Sequence, residues 1–512
     1  MSELTIPPLL ARLPELQPPR RWWAYLLPAL IAVTGILLAN ITARAGARAA
    51  NAFEHARIAE NVATQRAILE TDRRQALELR DDLFQRRQFN PADSQTNLLQ
   101  QISKLDDQIA IAQANVATAA AEKVRSEVLP GNQFTNWDAR RYEEIATKGY
   151  FYDMDAVRRG DIVLTNPDGT KQLINVVWYP LYPLLGRAAW TLTGHRLTMH
   201  SSLTLVSDVC IILGAMVVFA FARRHFYNRI ALDLSDDHPA RRYDLQPADT
   251  AALWTLTLVL FNPCAIFFYS NYSESLFLLL LGLFLLAIQG RRWWVAAAVA
   301  ALASATRSQG VLFGPFLAIT FFLRSDLPTP LRAGKAAVLA VVSALGLAVY
   351  MIYLHQNFGD PLAFMHAQVG WNVAFDWAHI TYGLNPTHAL TNAMYWTWHE
   401  PLVMPRFYEA WCVIVPPIVI LLLGARFLSF ELELIAWGLW ILPYVTNSMA
   451  GNPPFEHAWI SMGRFMLANL PLGVIIGAMV VRFRWAGPLL VATSAAVFAY
   501  FAYLSGTGDW IG

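Results

Sequence analysis

Apolar residues along this chain gather in runs long enough to cross a bilayer, separated by polar stretches. A crossing helix needs roughly 20 apolar residues, with shorter ones tolerated. Such runs fall at about 22 to 43, 200 to 222, 251 to 270, 274 to 290, 336 to 355, 409 to 424, 431 to 448, 465 to 482 and 486 to 505. Residues 293 to 323 are apolar too, but Arg291 and Arg292 precede them while Arg324, Arg332 and Lys335 follow. Basic residues favour the cytoplasmic side, and one crossing cannot put both its ends there. The pattern therefore predicts two short helices meeting at "TRSQG", with Arg307 and Gly310 at the turn. The expected count is eleven spans, N-terminus in and C-terminus out. Arg223, Arg224, Arg229, Arg241 and Arg242 then share one inner loop, and Arg426, Arg482 and Arg484 fall on others. Two large outer segments remain, 44 to 199 and 356 to 408.

A different periodicity occupies residues 52 to 125. Leu98, Ile102, Leu105, Ile109, Ala112, Val116 and Ala119 keep a 4-3 spacing, as a coiled-coil seam does. Ile58, Val62, Leu69, Ala76, Leu79 and Leu83 fit the same spacing, with polar Gln65 and Asp72 in two slots. "FNPADS" at 89 to 94 has the turn chemistry to separate two helices. The expected organisation is a first helix within 1 to 43, an extracytoplasmic helical hairpin at 44 to 130, a first outer loop with interfacial helices at 131 to 199, and a helical core at 200 to 512. The hairpin is expected to dock a protein partner or a second copy, or to position a large acceptor.

Composition agrees with a membrane chain: 55% of the 512 residues are hydrophobic, 15% are charged, and mean hydropathy is +0.35. The expected class is an all-α polytopic membrane protein. A net charge of +2 gives no nucleic-acid surface. Cys210, Cys264 and Cys412 lie within or beside apolar runs and read as small buried hydrophobes. His195 and His200 are five apart without an acidic partner nearby, so no tightly bound metal is expected, although metal assistance is left open. The first apolar run lacks a convincing cleavage site and is expected to stay as a helix.

"NWDARRYEEIATKGY" at 136 to 150 is polar and aromatic in a greasy chain. It predicts a short amphipathic interfacial helix with Trp137, Tyr142, Ile145 and Ala146 toward the bilayer or bundle. Asp138 would sit at its N-terminus, where a carboxylate can cap free N–H groups. Glu274 begins a later helix in "YSES", where it can cap or contact substrate. Arg307 and Arg464 come at outer helix ends, where an arginine can snorkel or bind an anion. Asp360, His366 and Gln368, in "FGDPLAFMHAQ", could bind sugar hydroxyls or phosphate, or simply be solvated.

"WDARRYEEIATKGY", "WYPLYPLLGRA" (178 to 188), "NPCAIFFYSNYSESLF" (262 to 277), "ASATRSQGVL" (303 to 312), "FGDPLAFMHAQVGW" (358 to 371) and "SMGRFMLANLPL" (461 to 472) together resemble the GPI mannosyltransferase II (PIG-V-like) family. Six blocks match in that family's order, while residues 44 to 130 depart from it. The resemblance implies a GT-C helical bundle and sugar transfer from a polyprenyl-phosphate donor, without a cofactor, on the outer or lumenal face. It implies that Asp138 is similar to the aspartate acting as general base, in an inverting displacement. It places Trp137, Arg141, Tyr142, Tyr182, Tyr272, Glu274, Arg307, Asp360, His366, Gln368 and Arg464 in substrate-binding blocks. The chemistry agrees: an acceptor hydroxyl is a poor nucleophile without a base, and arginine can stabilise a phosphate leaving group. Expected partners are membrane lipids, the lipid-linked sugar and an unidentified glycan, lipid or protein acceptor. The expected location is a bacterial plasma membrane with a periplasmic site, the alternative being the endoplasmic reticulum membrane. Competing readings are a lipid or glycan transporter and a non-catalytic scaffold acting through the hairpin.

Overall fold

A computed structural model describes residues 23–85, 100, 103–104, 106–107, 110, 138–165, 171–233, 246–399, 405–424, 426–449, 459, 461–467, 469–482 and 485–507. The chain is an all-α polytopic membrane protein; among the described residues there is one two-stranded antiparallel sheet, β1 Val163–Thr165 and β2 Lys171–Leu173, between Asp138–Lys148 and Leu181–Leu192. Helix α1 spans Trp23–Gln85 without a break, so the first apolar run continues as a helix into the heptad-patterned segment 52 to 125. The "FNPADS" turn and most of the expected second hairpin arm lie outside the described residues. Arg73 on this helix pairs with Asp106 at 3.3 Å.

Helices follow in chain order: α2 Asp138–Lys148, α3 Leu181–Leu192, α4 Met199–Asp233, α5 Gln246–Leu260, α6 Glu274–Gln289, α7 Trp293–Ser304, α8 Phe313–Arg324, α9 Thr329–Ser343 and α10 Leu345–Phe358. Then come α11 Trp377–Leu384, α12 Pro386–His399, α13 Pro405–Cys412, α14 Phe430–Thr446, α15 Leu470–Arg482 and α16 Ala486–Thr507. Among the described residues three spans are long and apolar enough to cross alone, Leu26–Phe53, Met199–Asn228 and Ala486–Thr507. Three more qualify as bent pairs: Ala248–Leu260 with Pro263–Tyr269 at 66°, α9 with α10 at 48°, and α13 with Val415–Gly424 at 43°. The rest, including α6, α7 and Leu470–Val481, are shorter.

The bends correct the sequence pattern, which shows 251 to 270, 336 to 355 and 409 to 424 as continuous runs. At the first, Pro263 has no N–H to continue the ladder, and Asn262 accepts from the Cys264 N–H instead. At the second, the helix breaks at Ala344, and the Leu347 N–H donates to Ser304 Oγ at 3.1 Å. At the third, Pro416 and Pro417 open the second piece. The stretch 293 to 323 divides as its flanking charges predict, into α7 and α8 with Arg307 at the turn.

Small residues set a close helix contact. Ala32, Gly35, Ala39, Ala43 and Gly46 form one buried stripe on α1 at three- and four-residue intervals. Through its later part α1 lies along α16: a Cβ on Gly46 would collide with the Tyr503 carbonyl, and one on Gly506 with the Ala43 carbonyl. Such stripes let backbones approach where apolar burial alone cannot discriminate lipid from protein. The opposite end of the bundle holds Arg223 with Asp249 at 2.5 Å and Arg324 with Glu431 at 2.6 Å. A second small core, with Tyr152, Val157, Ile174, Tyr179, Tyr350 and Phe364, builds a separate layer around the two-stranded sheet, called the outer layer for its place beyond the main helical core.

Candidate active site

Helix α2 is amphipathic as its sequence demands. Ala139, Tyr142, Ile145 and Ala146 are buried, while Arg140 and Arg141 on the other face reach Glu144 at 3.7 and 2.7 Å. Tyr142 meets the Tyr182 ring edge-on at 5.0 Å and shares a 2.9 Å hydrogen bond with Ser273 Oγ. Burial, then the nearby Glu274 carboxylate, pushes the Tyr142 phenol up to about 12, so it stays protonated at neutral pH. Asp138 is the first residue of α2 and leads into the most charged point of the bundle.

Three other turns converge there. The "SNYSES" turn ends as Glu274 starts α6, Arg307 follows α7, and Arg464 lies in the short helix Met462–Met466. Gly310 lets the Arg307 turn fold back, since a Cβ there would collide with the Ala303 carbonyl. Arg464 donates through Nη1 to Asp138 Oδ2 at 2.5 Å and through Nε to Glu274 Oε1. Arg307 Nη1 pairs with the same Glu274 Oε1 and lies 3.4 Å from Ser273 Oγ. Glu274, Arg464 and Arg307 are 4%, 7% and 8% exposed, whereas the Asp138 side chain is 24% exposed.

Two carboxylates and two guanidiniums balance in charge, which is the condition for burying any of them. Aromatic faces complete the setting: Arg464 lies 4.7 Å from the Tyr272 ring centre and 5.3 Å from Phe267, and Arg307 lies 5.5 Å from Phe465. Glu274 Oε2 is buried without a hydrogen-bond partner. Such a cluster offers a partly exposed carboxylate beside guanidiniums fixed from behind, suited to holding an anion next to a proton acceptor.

The structure thus gathers Asp138, Tyr142, Tyr272, Glu274, Arg307 and Arg464. Arg141 is turned to Glu144, and the Tyr182 hydroxyl is engaged with Ser207 Oγ at 2.7 Å and the Leu203 carbonyl at 3.1 Å. Trp137 lies outside the described residues. Asp360 and His366 belong to the outer layer, where Asp360 Oδ2 accepts from the Tyr152 hydroxyl and pairs with His366 Nδ1, both at 2.7 Å. Gln368 is half-buried beside them in the following 3-10 turn. Ser273, Phe267 and Phe465 were missed, although all three stand in or next to the matched blocks. Only contact with the guanidiniums distinguishes them from ordinary turn and core residues.

A groove of about 500 Å³ is walled by the end of α2 away from Asp138, by α3, by α7 and by α10. Ile145, Leu181, Leu184, Leu302 and Val349 give it apolar walls, and Arg187 is the charged residue in its lining. Among the described residues no three His, Cys, Asp or Glu side chains group as a metal site would need.

No family model and no curated protein matches the chain. Among solved structures, the Archaeoglobus fulgidus oligosaccharyltransferase, in a complex with zinc and sulfate, is similar at 15% identity over 74% of this chain, with a TM-score of 0.37. The match covers 49% of that protein, so this chain spans about half its length. What the helices establish by themselves is an all-α polytopic membrane protein whose buried polar cluster joins α2 and α6 to the Arg307 and Arg464 turns.

Proposed function

We propose that this protein is a membrane glycosyltransferase of the GT-C type, moving a sugar from a polyprenyl-phosphate donor to an acceptor hydroxyl on the extracytoplasmic face. Mannose is the first sugar to test, on the strength of the PIG-V-like motifs. The observation that carries the reading is the pairing of partly exposed Asp138 with Arg464, which Glu274 holds from the buried side together with Arg307. In the reaction the acceptor oxygen bonds to the anomeric carbon as its proton passes to Asp138. The bond from that carbon to the phosphate oxygen breaks, and the phosphate leaves with the electron pair. Arg307 and Arg464 stabilise the departing charge, and attack opposite the leaving group inverts the anomeric centre. The apolar groove beside α2 has the size of small-molecule sites and suits the first isoprene units of the donor.

One observation favours transport instead. Asp208 lies inside α4, and its Oδ1 is buried without a hydrogen-bond partner. Asp138→Asn separates the readings. The substitution is nearly isosteric and removes the base, so turnover of polyprenyl-phosphate mannose should fall by roughly 10² to 10⁴. Near-normal turnover with normal membrane insertion would defeat the glycosyltransferase mechanism.

A further inference from the structure

Arg464 is occupied on two edges at once. Its Nε is held by Glu274 and its Nη1 by Asp138 Oδ2. A phosphate binds a guanidinium best through two parallel N–H donors, so an arriving anion competes with a carboxylate already in place. The two carboxylates are not equally displaceable. Glu274 is 4% exposed, heads α6, and is held by Arg307 as well as Arg464. Removing it from these partners would leave two buried guanidiniums without their shared counter-charge. The Asp138 side chain is 24% exposed, and its one described ion pair is with Arg464. Water can replace Arg464 at Asp138 far more cheaply than at Glu274.

We propose that the Asp138–Arg464 contact is a latch opened by the phosphate of the lipid substrate. This rests on the glycosyltransferase reading above and adds an order of events to it. In the ligand-free state Asp138 Oδ2 is committed to Arg464 and unavailable to an acceptor. Phosphate takes the Nη1 edge of Arg464, Glu274 keeps the guanidinium in place, and Asp138 is freed toward the acceptor. Asp138 Oδ2 is thereby released only when a donor phosphate is seated, which couples donor binding to the freeing of that oxygen.

The latch predicts that the base opposes binding of the phosphate it serves. A ligand that must first open a closed state loses apparent affinity in proportion to the open fraction. Asp138→Asn keeps a neutral hydrogen bond in place of a charge-assisted one, so the open fraction rises. Binding of a short-chain polyprenyl phosphate, measured on the full-length protein in nanodiscs, should tighten on the order of 10-fold in Asp138→Asn. Glu274→Gln should weaken it, because both guanidiniums lose their anchor. In wild-type protein, carbodiimide modification of Asp138, read by peptide mass spectrometry, should rise when the polyprenyl phosphate is added. This second measurement does not depend on any variant folding.

Unchanged or weaker binding in Asp138→Asn, or protection of Asp138 from carbodiimide by the ligand, would overturn the latch. If Asp138→Asn loses turnover while affinity stays the same, the latch alone falls and the base survives. Retained turnover in Asp138→Asn defeats the underlying mechanism whatever the affinity does.

Discussion

Asp360 shows how a carboxylate in a site-like sequence can do structural work. It is buried, yet Oδ1 accepts from the Leu362 N–H at 2.9 Å while Oδ2 receives Tyr152 and His366. Burial alone would push its pKa up. The hydrogen bonds from His366, Tyr152 and Leu362 outweigh that and hold it below the ordinary 3.8. A carboxyl whose pKa is lowered on folding stabilises the fold above its unfolded pKa, and that stability is lost as pH falls through the lower folded value. Asp360→Asn should therefore destabilise the outer layer at neutral pH by roughly 1 to 3 kcal/mol. The gap to wild type should close as pH drops from 3.8 downward, as followed by thermal unfolding in detergent at a series of pH values. A gap that is constant with pH would mean that shape, not charge, holds Asp360 there. At this scale the sequence was legible for charge and silent about partnership. Asp138, Glu274, Arg307 and Arg464 stand out because charges are rare in apolar surroundings. Asp360 and His366 stand out equally, and only the fold sends them to another cluster.

Helices and their breaks follow different rules of legibility. Runs of apolar residues located nearly every long helix, and the flanking arginines divided α7 from α8. The bends were hidden because a 66° turn at Pro263 or a 48° turn at Ala344 leaves hydropathy unchanged. A break of this kind depends on a side chain elsewhere, such as Ser304 Oγ accepting from the Leu347 N–H. Close packing of α1 on α16 is written as small residues, but their spacing alone does not say which helix they meet. That contact gives a test at the scale of the element. Gly506→Leu must displace the Ala43 backbone and should cost about 1 to 3 kcal/mol, lowering the unfolding temperature in detergent. Gly334→Ala in α9 has open space around its new methyl and should instead be neutral or stabilising by up to about 1 kcal/mol. Equal effects from the two substitutions would mean that glycine content, and not the α1–α16 approach, governs stability.

For the whole molecule, charge and chemistry separate to opposite ends. Asp138, Glu274, Arg307 and Arg464 meet at the end where α1 leaves the bundle toward its long extension. Arg223, Arg224, Arg291, Arg292, Arg324, Arg332 and Lys335 mark the other end, where α4, α6 and α8 finish and α7 and α9 begin. Basic residues near span ends mark the cytoplasmic face, so the cluster and the extension of α1 are expected to face away from the cytoplasm. Cys210, Cys264 and Cys412 are buried at 7%, 0% and 9% exposure, which keeps native labelling low. Lys148 and Ser308 are exposed near the cluster, and Asp326 is exposed at the basic end. A membrane-impermeant maleimide applied to intact cells should label Lys148→Cys and Ser308→Cys. Asp326→Cys should react only after permeabilisation. The reverse pattern would put the cluster in the cytoplasm and remove the extracytoplasmic acceptor from the proposed reaction. Labelling of all three from outside would break the parity of spans between Ser308 and Asp326, leaving α8 as a helix that does not cross.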